Sequence, residues 1–436
     1  MTHTVSITDG TTTVDLSASN VQLNRYTPKA PQWDEQSRSY RPVTETIDFL
    51  IYQETGALAQ TKLADIERTL LGVLKRASSG TGPIPYINCQ MISDTQAWRS
   101  EIRRYDLVAA DDLFQSLPQG YAGFRLNIER VPYWEGSRVA IPLSNGAGSN
   151  VTTGLRITNA NNYVQIAAGV IAGTHPTPVE FHIQNRTGAS RYYANFFVAN
   201  NAMSTSLTHH IEGETIATGG NATAMSGASG GQVARVTTAG VQAAGMRWTI
   251  PAATTSILQG RYVNVVARLM STPLLRARCR ILDRLGFQTM YETTDVMIDG
   301  VSANGFLNFG AVPLPPASYR TAFGPVTLEL VFYTTGAQTI NVDYITLMPS
   351  EPGCFQHFWQ PGYSIANAAV INVNGIERLI YTNDASLDII WRPYTEFVML
   401  QPNVAQRLYC LIDGETSIAA WEHDIYAYYR PRRLTI

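Results

Sequence analysis

The chain has 436 residues, a net charge of −2, and only 15% charged side chains. That length accommodates roughly two to four domains, each with its own core, and the balanced charge excludes the basic footprint that nucleic acid demands. No apolar run approaches the ~20 residues of a membrane helix, so no membrane insertion is expected.

Strand signals come first and recur throughout. Val14 and Leu16 follow the Asp9-Gly10 turn, and Ile47, Phe49 and Ile51 alternate with Asp48 and Leu50. From Ala57 to Ala77 the period changes: Leu63, Ile66, Leu70, Val73 and Leu74 recur at three and four, with Lys75 and Arg76 in the last turn and Gly80 beyond. This predicts an amphipathic helix, the one long helix of the chain. Phe124, Leu126 and Ile128 then alternate with Arg125, Asn127 and Glu129, a period of two. Residues 1–135 read as a β-sandwich with one helix, closed by Pro132 and Gly136.

After a Gly/Ser/Asn-rich connection at Ser144–Gly154, Val179, Phe181 and Ile183 alternate with Glu180, His182 and Gln184, and Tyr192–Val198 supplies a further strand. The stretch Ile216–Gly231 is almost wholly small residues and reads as a mobile loop. Strands resume at 246–250, 262–269, 276–282 and 326–333. Pro349, Pro352 and Gly353 punctuate the exit before strands at 369–373, 387–391, 407–412 and 425–429. Residues 353–436 hold too few strands for a sandwich of their own. They complete the one begun at 136–205, which makes 206–352 an insertion at a point where the ends stay close. No fixed-period repeat is present.

Cys89, Cys279, Cys354 and Cys410 are scattered without C-x-x-C spacing, which removes zinc and redox motifs and favours lone thiols over a disulfide framework. The residues Met1–Gly10 show neither a basic n-region nor an apolar h-region, so no secretory signal is read.

The insertion carries the chemistry. It opens on His209-His-Ile-Glu-Gly-Glu214 and closes on Ile340-Asn-Val-Asp-Tyr-Ile-Thr-Leu347. Residues i and i+2 of a strand share a face, so Glu212 and Glu214 point the same way. Asp343 from a neighbouring last strand completes a hard oxygen site suited to calcium. Against this stands a plain alternative, separate solvated acids that need no ion. The pattern resembles the carbohydrate-binding jelly-roll modules that begin with Glu-x-Glu and end in an Asp-Tyr or Asp-Trp strand. For such a module, sugar rings stack on Tyr and Trp. Tyr291 and Tyr319 fall in expected loops and are the better candidates, whereas Trp248 and Tyr262 lie in strand-like runs where core packing competes.

Other motifs carry less. Gly227-Ala-Ser-Gly-Gly231 matches G-x-S-x-G but lacks the flanking strand and helix of a nucleophile elbow, so it reads as a flexible loop. His209 and His210 are neighbours in a strand, cannot easily share an ion, and read as surface residues. Glu292, Asp295, Asp299 and Glu329 are of the right type for glycoside hydrolysis, but no spacing selects a pair. The aromatic-basic run Tyr426–Arg433 reads as strand packing or subunit contact.

The flanking segments resemble the distal tail proteins of long-tailed bacteriophages. Three passages carry this: Arg41-Pro-Val-Thr-Glu-Thr-Ile-Asp-Phe49 leading into the helix, Leu126-Asn-Ile-Glu-Arg-Val-Pro-Tyr-Trp-Glu135, and the run from Phe397-Val-Met-Leu-Gln-Pro-Asn403 through Arg407-Leu-Tyr409 to Ile425-Tyr-Ala-Tyr-Tyr-Arg-Pro-Arg432. The chain departs from the family in having Gln401-Pro-Asn-Val-Ala-Gln406 where a Pro-Gly-Asn turn is usual. The resemblance implies an all-β chain of four segments: a ring-forming sandwich with one helix (1–135), a galectin-like sandwich in two parts (136–205 and 353–436), and an inserted carbohydrate-binding-like jelly roll (206–352). It further implies a non-enzymatic virion protein, assembled in the host cytoplasm, that forms a ring of sixfold symmetry at the tail tip. Its partners would be further copies of itself, the tail tube protein, tail-tip hub or fibre proteins and host surface glycans. Structural calcium would be the one cofactor. A free carbohydrate-binding adhesin and, further off, a glycan-active enzyme are the alternatives.

Overall fold

The computed structural model describes the chain except residues 1–2, 38, 76–82, 92–94, 110–119, 147, 151–153, 158–160, 187, 202–209, 252–259, 271–274, 284–286, 299–304, 315–325, 360–363, 384–389, 392–396 and 415–422. Among the described residues Gly56–Val73 is the one α-helix and nearly all other regular structure is strand, so the chain is an all-β sandwich protein. It divides into two units, Met1–Val139 with Ala172–Pro176 and Arg430–Ile436, and Ala140–Ile171 with Thr177–Tyr429.

In the first unit the period of two sets the sheet. Val43–Tyr52 turns Val43, Ile47, Phe49 and Ile51 inward, and Tyr121–Arg130 beside it does the same with Phe124, Leu126 and Ile128. Trp98–Ala109, Tyr86–Met91, His3–Thr8 and Thr13–Asp15 extend the sheet on one side, and Val21–Arg25 on the other. The helix is capped by Thr55, whose hydroxyl accepts the Leu58 N–H at 3.3 Å, and it lays Ile66, Leu70 and Val73 on the sheet core. It runs to Val73 with Leu74 as its cap, and Arg76 and Ala77 of the expected span lie outside the described residues.

One inward position of that sheet is an acid. Glu45 is fully buried, yet Arg130 Nη2, Tyr26 Oη and the Lys29 N–H each donate to it at 2.7 Å. The Arg130 guanidinium also lies 4.4 Å from the Trp134 ring centroid. A buried charge is tolerated when paired and hydrogen-bonded, and this pair ties the Tyr26–Lys29 segment to the sheet.

The second unit contains two sheet pairs. In the first pair Glu180–Asn185 lies between His423–Tyr429 and Val370–Asn374, facing a sheet of Tyr163–Ile166, Gln406–Gly414, Arg191–Asn200 and Phe355–Trp359. Strands from before residue 201 and after residue 353 therefore interleave around one core, with Phe181, Val198, Val373, Leu408 and Ile425 at its centre. At the point of departure the Asn200 N–H donates to the Cys354 carbonyl at 2.8 Å, so the ends of the intervening segment are adjacent.

The intervening segment forms its own sheets. One contains Asn221–Ala224, Gln232–Thr238, Gln338–Pro349, Tyr262–Leu269 and Phe306–Pro313, with His210–Glu212 also on Gln338–Pro349; the other contains Val241–Ile250, Val326–Thr335, Leu275–Leu282 and Thr289–Glu292. The first strand thus lies antiparallel to the last, His210 opposite Thr346 and Glu212 opposite Tyr344. The stretch 216–231, expected to be a mobile loop, is instead built: it holds the Asn221–Ala224 strand and a 3-10 turn at Ser229–Gly231 with Ala228 and Ser229 buried. Small residues are there because the backbone passes close to other backbone, as Gly219 against the Gly245 carbonyl shows. Cys89, Cys279 and Cys410 are buried free thiols, and Cys354 is a partly exposed one.

Candidate functional site

The last strand of the intervening segment places both Val342 and Ile345 in the core, which strict alternation forbids. A bulge reconciles them. Arg268 pairs with Tyr344 and Leu269 with Val342, leaving Asp343 as the extra residue, where bulges commonly re-aim a side chain. The first strand ends opposite this bulge, at Glu212, and the chain turns over it through Gly213–Thr215. Only glycine fits at 213, since a Cβ there would lie 2.1 Å from the Val342 carbonyl oxygen and 2.6 Å from that of Asp343. From the core below, Trp248 Nε1 donates to the Gly213 carbonyl at 3.0 Å and fixes the turn.

The Ser229–Gly231 turn closes the site. The Ser229 N–H donates to Asp343 Oδ1 at 2.8 Å, and its Oγ donates to Glu212 Oε1 at 2.9 Å. A Cβ on Gly230 would meet Glu214 Oε1 at 2.6 Å and Glu212 Oε2 at 3.9 Å, which puts both glutamates against that glycine. The three acids named from the sequence therefore converge on one turn. The sequence reading took that turn for slack chain, and only Ser229 between glycines hinted otherwise.

Their surroundings differ. The carboxylate of Asp343 is fully buried, with one oxygen on the Ser229 N–H and the other on Arg268, itself buried. Burial pushes the Asp343 carboxyl up to about 7, although the Arg268 guanidinium pulls it down. For Glu212, burial works upward, but the His210 Nε2 hydrogen bond at 3.0 Å and the Ser229 hydroxyl outweigh it and hold the group below the usual range. Burial raises Glu214, and the Glu212 charge adds to that. His210, expected as a plain surface residue, is an internal partner of Glu212, while His209 lies outside the described residues.

Would a cation suit these groups? Among the described residues no three acidic, histidine or cysteine side chains are already gathered at ligating distance. Yet Glu212 Oε2 and Glu214 Oε2 are buried oxygens without a hydrogen-bond partner, and both carboxylates lie against Gly230. Two carboxylate oxygens in that state fit a hard cation. Asp343, expected as a third ligand, has both oxygens already engaged.

The stacking candidates separate. Trp248 is fully buried and part of the core, so it offers no ring face; this corrects its reading as a sugar platform. Tyr291 lies in the strand Thr289–Glu292, not a loop, and packs against the same core. Tyr262 is 57% exposed at a strand start and keeps a free surface. Tyr319 falls outside the described residues. The acids Glu292, Asp295 and Glu329 belong to a guanidinium lattice: Arg278 bonds Asp295 and Glu292, Arg280 bonds Glu292 and Glu329, and Arg247 bonds Glu329 at 2.7 Å. Arg278 foremost holds Glu292 and Asp295 below the usual carboxylate range. That is the opposite of what a general acid needs.

No family model matches the chain, and no curated protein matches it. Among solved structures it is similar to a family 35 carbohydrate-binding module from an environmental isolate, with 14% identity over 35% of this chain and 98% of that one, at a TM-score of 0.24. It is also similar to a chain of the phage P2 baseplate in its activated conformation with calcium, with 12% identity over 80% of this chain and 99% of that one, at 0.24. The strontium form of that baseplate gives 12% identity over 96% and 100%, at 0.23. All three TM-scores are low, and no function is transferred from them.

Proposed function

We propose that the chain is a structural protein of a phage tail tip. It would form a ring through its first unit, join the tail tube to the adhesion apparatus, and present the intervening jelly roll to host glycans. The observation that carries this reading is the order of the cores: a helix-bearing sheet, then a sandwich whose two halves close around an intervening sandwich with paired first and last strands. That order is the one implied by the three tail-like passages at 41–49, 126–135 and 397–432. A ring of identical subunits needs a heterologous interface whose rotation closes.

The intervening sandwich is read as non-catalytic, with Glu292 and Asp295 held as carboxylates by Arg278 foremost. Glu212 and Glu214 would hold a structural calcium ion, whose charge offsets the repulsion between them. Asp343, fixed by Ser229 and Arg268, orients the turn behind them. The assembly reading is tested by electron microscopy and light scattering of the purified chain with tail tube protein. Rings or end-on docking are expected; a strict monomer absent from purified tails overturns it.

A further inference from the structure

The intervening sandwich is not simply tethered to its host. Val266, Phe306, Tyr344 and Met348 on its outer face form one buried cluster with Phe197, Ala199, Phe355, Tyr409 and Leu411 of the host sheet. The three-residue strand His210–Glu212 stands between this seat and the acidic turn. Ile211 packs toward the intervening core, so His210 and Glu212 share the opposite face. The His210 ring lies 4.6 Å from the Tyr344 ring and nearly parallel to that of Tyr409, at 6.4 Å and 11°. Its Nε2 donates to Glu212 Oε1 at 3.0 Å, and Nδ1 lies 3.4 Å from the Thr346 hydroxyl. One side chain thus touches the junction with its ring face and the acids with its ring edge.

Resting on the calcium reading above, we propose that cation occupancy at Glu212 and Glu214 sets how firmly the intervening sandwich is seated on its host, with His210 as the link. Without a cation, the two glutamates repel each other. Glu212, which keeps a third of its side-chain surface in solvent, has room to turn outward. Turning withdraws the only carboxylate that His210 Nε2 contacts among the described residues, and leaves the ring with the longer Nδ1 contact to Thr346 alone to set its plane against Tyr344 and Tyr409. With a cation on the otherwise unpartnered Oε2, Glu212 stays inward, Oε1 remains with His210, and the ring keeps its tilted contact with Tyr344 and its parallel setting to Tyr409. The residue acts by positioning; it is not itself a ligand.

The experiment uses the full chain and calcium chloride, with chelator as the reference state. Calorimetric titration measures calcium binding, and amide hydrogen exchange reads the host strand Gln406–Gly414, which carries Tyr409 but no acid of the site. Calcium should slow exchange there about tenfold, the ratio that one charge-assisted hydrogen bond supports. His210→Phe keeps an aromatic ring but no donor. At calcium saturation established by its own titration, this variant should lose that slowing. His210→Ala gives the same readout should the phenylalanine variant misfold. If titration shows binding and exchange over 406–414 does not respond, the coupling is wrong while the calcium reading stands. A full response in both variants overturns His210 as the link. Absence of calcium binding overturns both readings together.

Discussion

Gly213 and Trp248 show how much of the candidate site rests on residues that touch no ligand. Gly213→Ala would drive a Cβ into two carbonyl oxygens of the last strand, where nothing flexible can give way. A loss of about 2–4 kcal/mol is expected, read as a lower melting temperature of the intervening sandwich with the first unit unchanged. Trp248→Phe removes the donor to the Gly213 carbonyl and should cost about 1–3 kcal/mol through a buried acceptor left unsatisfied. A melting curve matching the parent would show that the indole only fills space. A second residue sets a pH response. Burial pushes His423 down to about 4 from an ordinary 6.5, with Asp424 opposing and Arg156 adding to the effect. A depressed histidine favours the neutral form in the fold, so its contribution is complete above the unfolded value and is lost as pH falls from 6.5 through about 4. The host sandwich should therefore lose on the order of 2–3 kcal/mol across that window. His423→Gln should flatten the acid limb; an unaltered limb would assign it to other groups, His357 among them, which burial also lowers to about 4.

At the scale of elements, turns and bulges decide more than strands do. The Ser229–Gly231 turn works because Gly230 adopts φ +60 and leaves room for Glu214. Gly230→Ala should both strain the backbone, by about 1 kcal/mol or more, and displace Glu214. Calcium affinity should then fall further than stability does, and parallel losses would mean that the turn serves folding alone. The helix gives a contrasting case. Its cap is a single hydroxyl, and Thr55→Ala should cost about 1 kcal/mol in the first unit, checked by denaturant titration with an unchanged slope.

For the molecule as a whole, the shared cluster at the seat bears on any attempt to isolate the intervening sandwich. Residues 206–352 enclose a core of their own, so the fragment should fold as a β domain. Excision would also bare Val266, Phe306, Tyr344 and Met348 to water. Self-association at micromolar concentration is expected, seen by light scattering, and replacing Phe306 and Met348 by serine and threonine should restore a monomer. An unfolded fragment by circular dichroism would instead place part of its stability in the host sheet.

What the sequence determined by itself was set by short-range periodicity. The alternation at 124–128 became the strand Tyr121–Arg130 and the three-four spacing from Leu63 became the helix. The strand period expected to align Glu212 with Glu214 does not hold, because the strand ends at Glu212 and Glu214 lies in the turn Gly213–Thr215. Only the tertiary structure decided the rest. The bulge at Asp343 depends on which strand lies opposite, the partnership of Arg268 with that acid spans 75 residues, and the role of Ser229 depends on a turn folded back over both. Burial likewise sorted the aromatics, placing Trp248 in the core and leaving Tyr262 at the surface. Local pattern fixes which face of an element is apolar, but contacts between distant segments fix which polar groups meet, and a functional site is made of the latter.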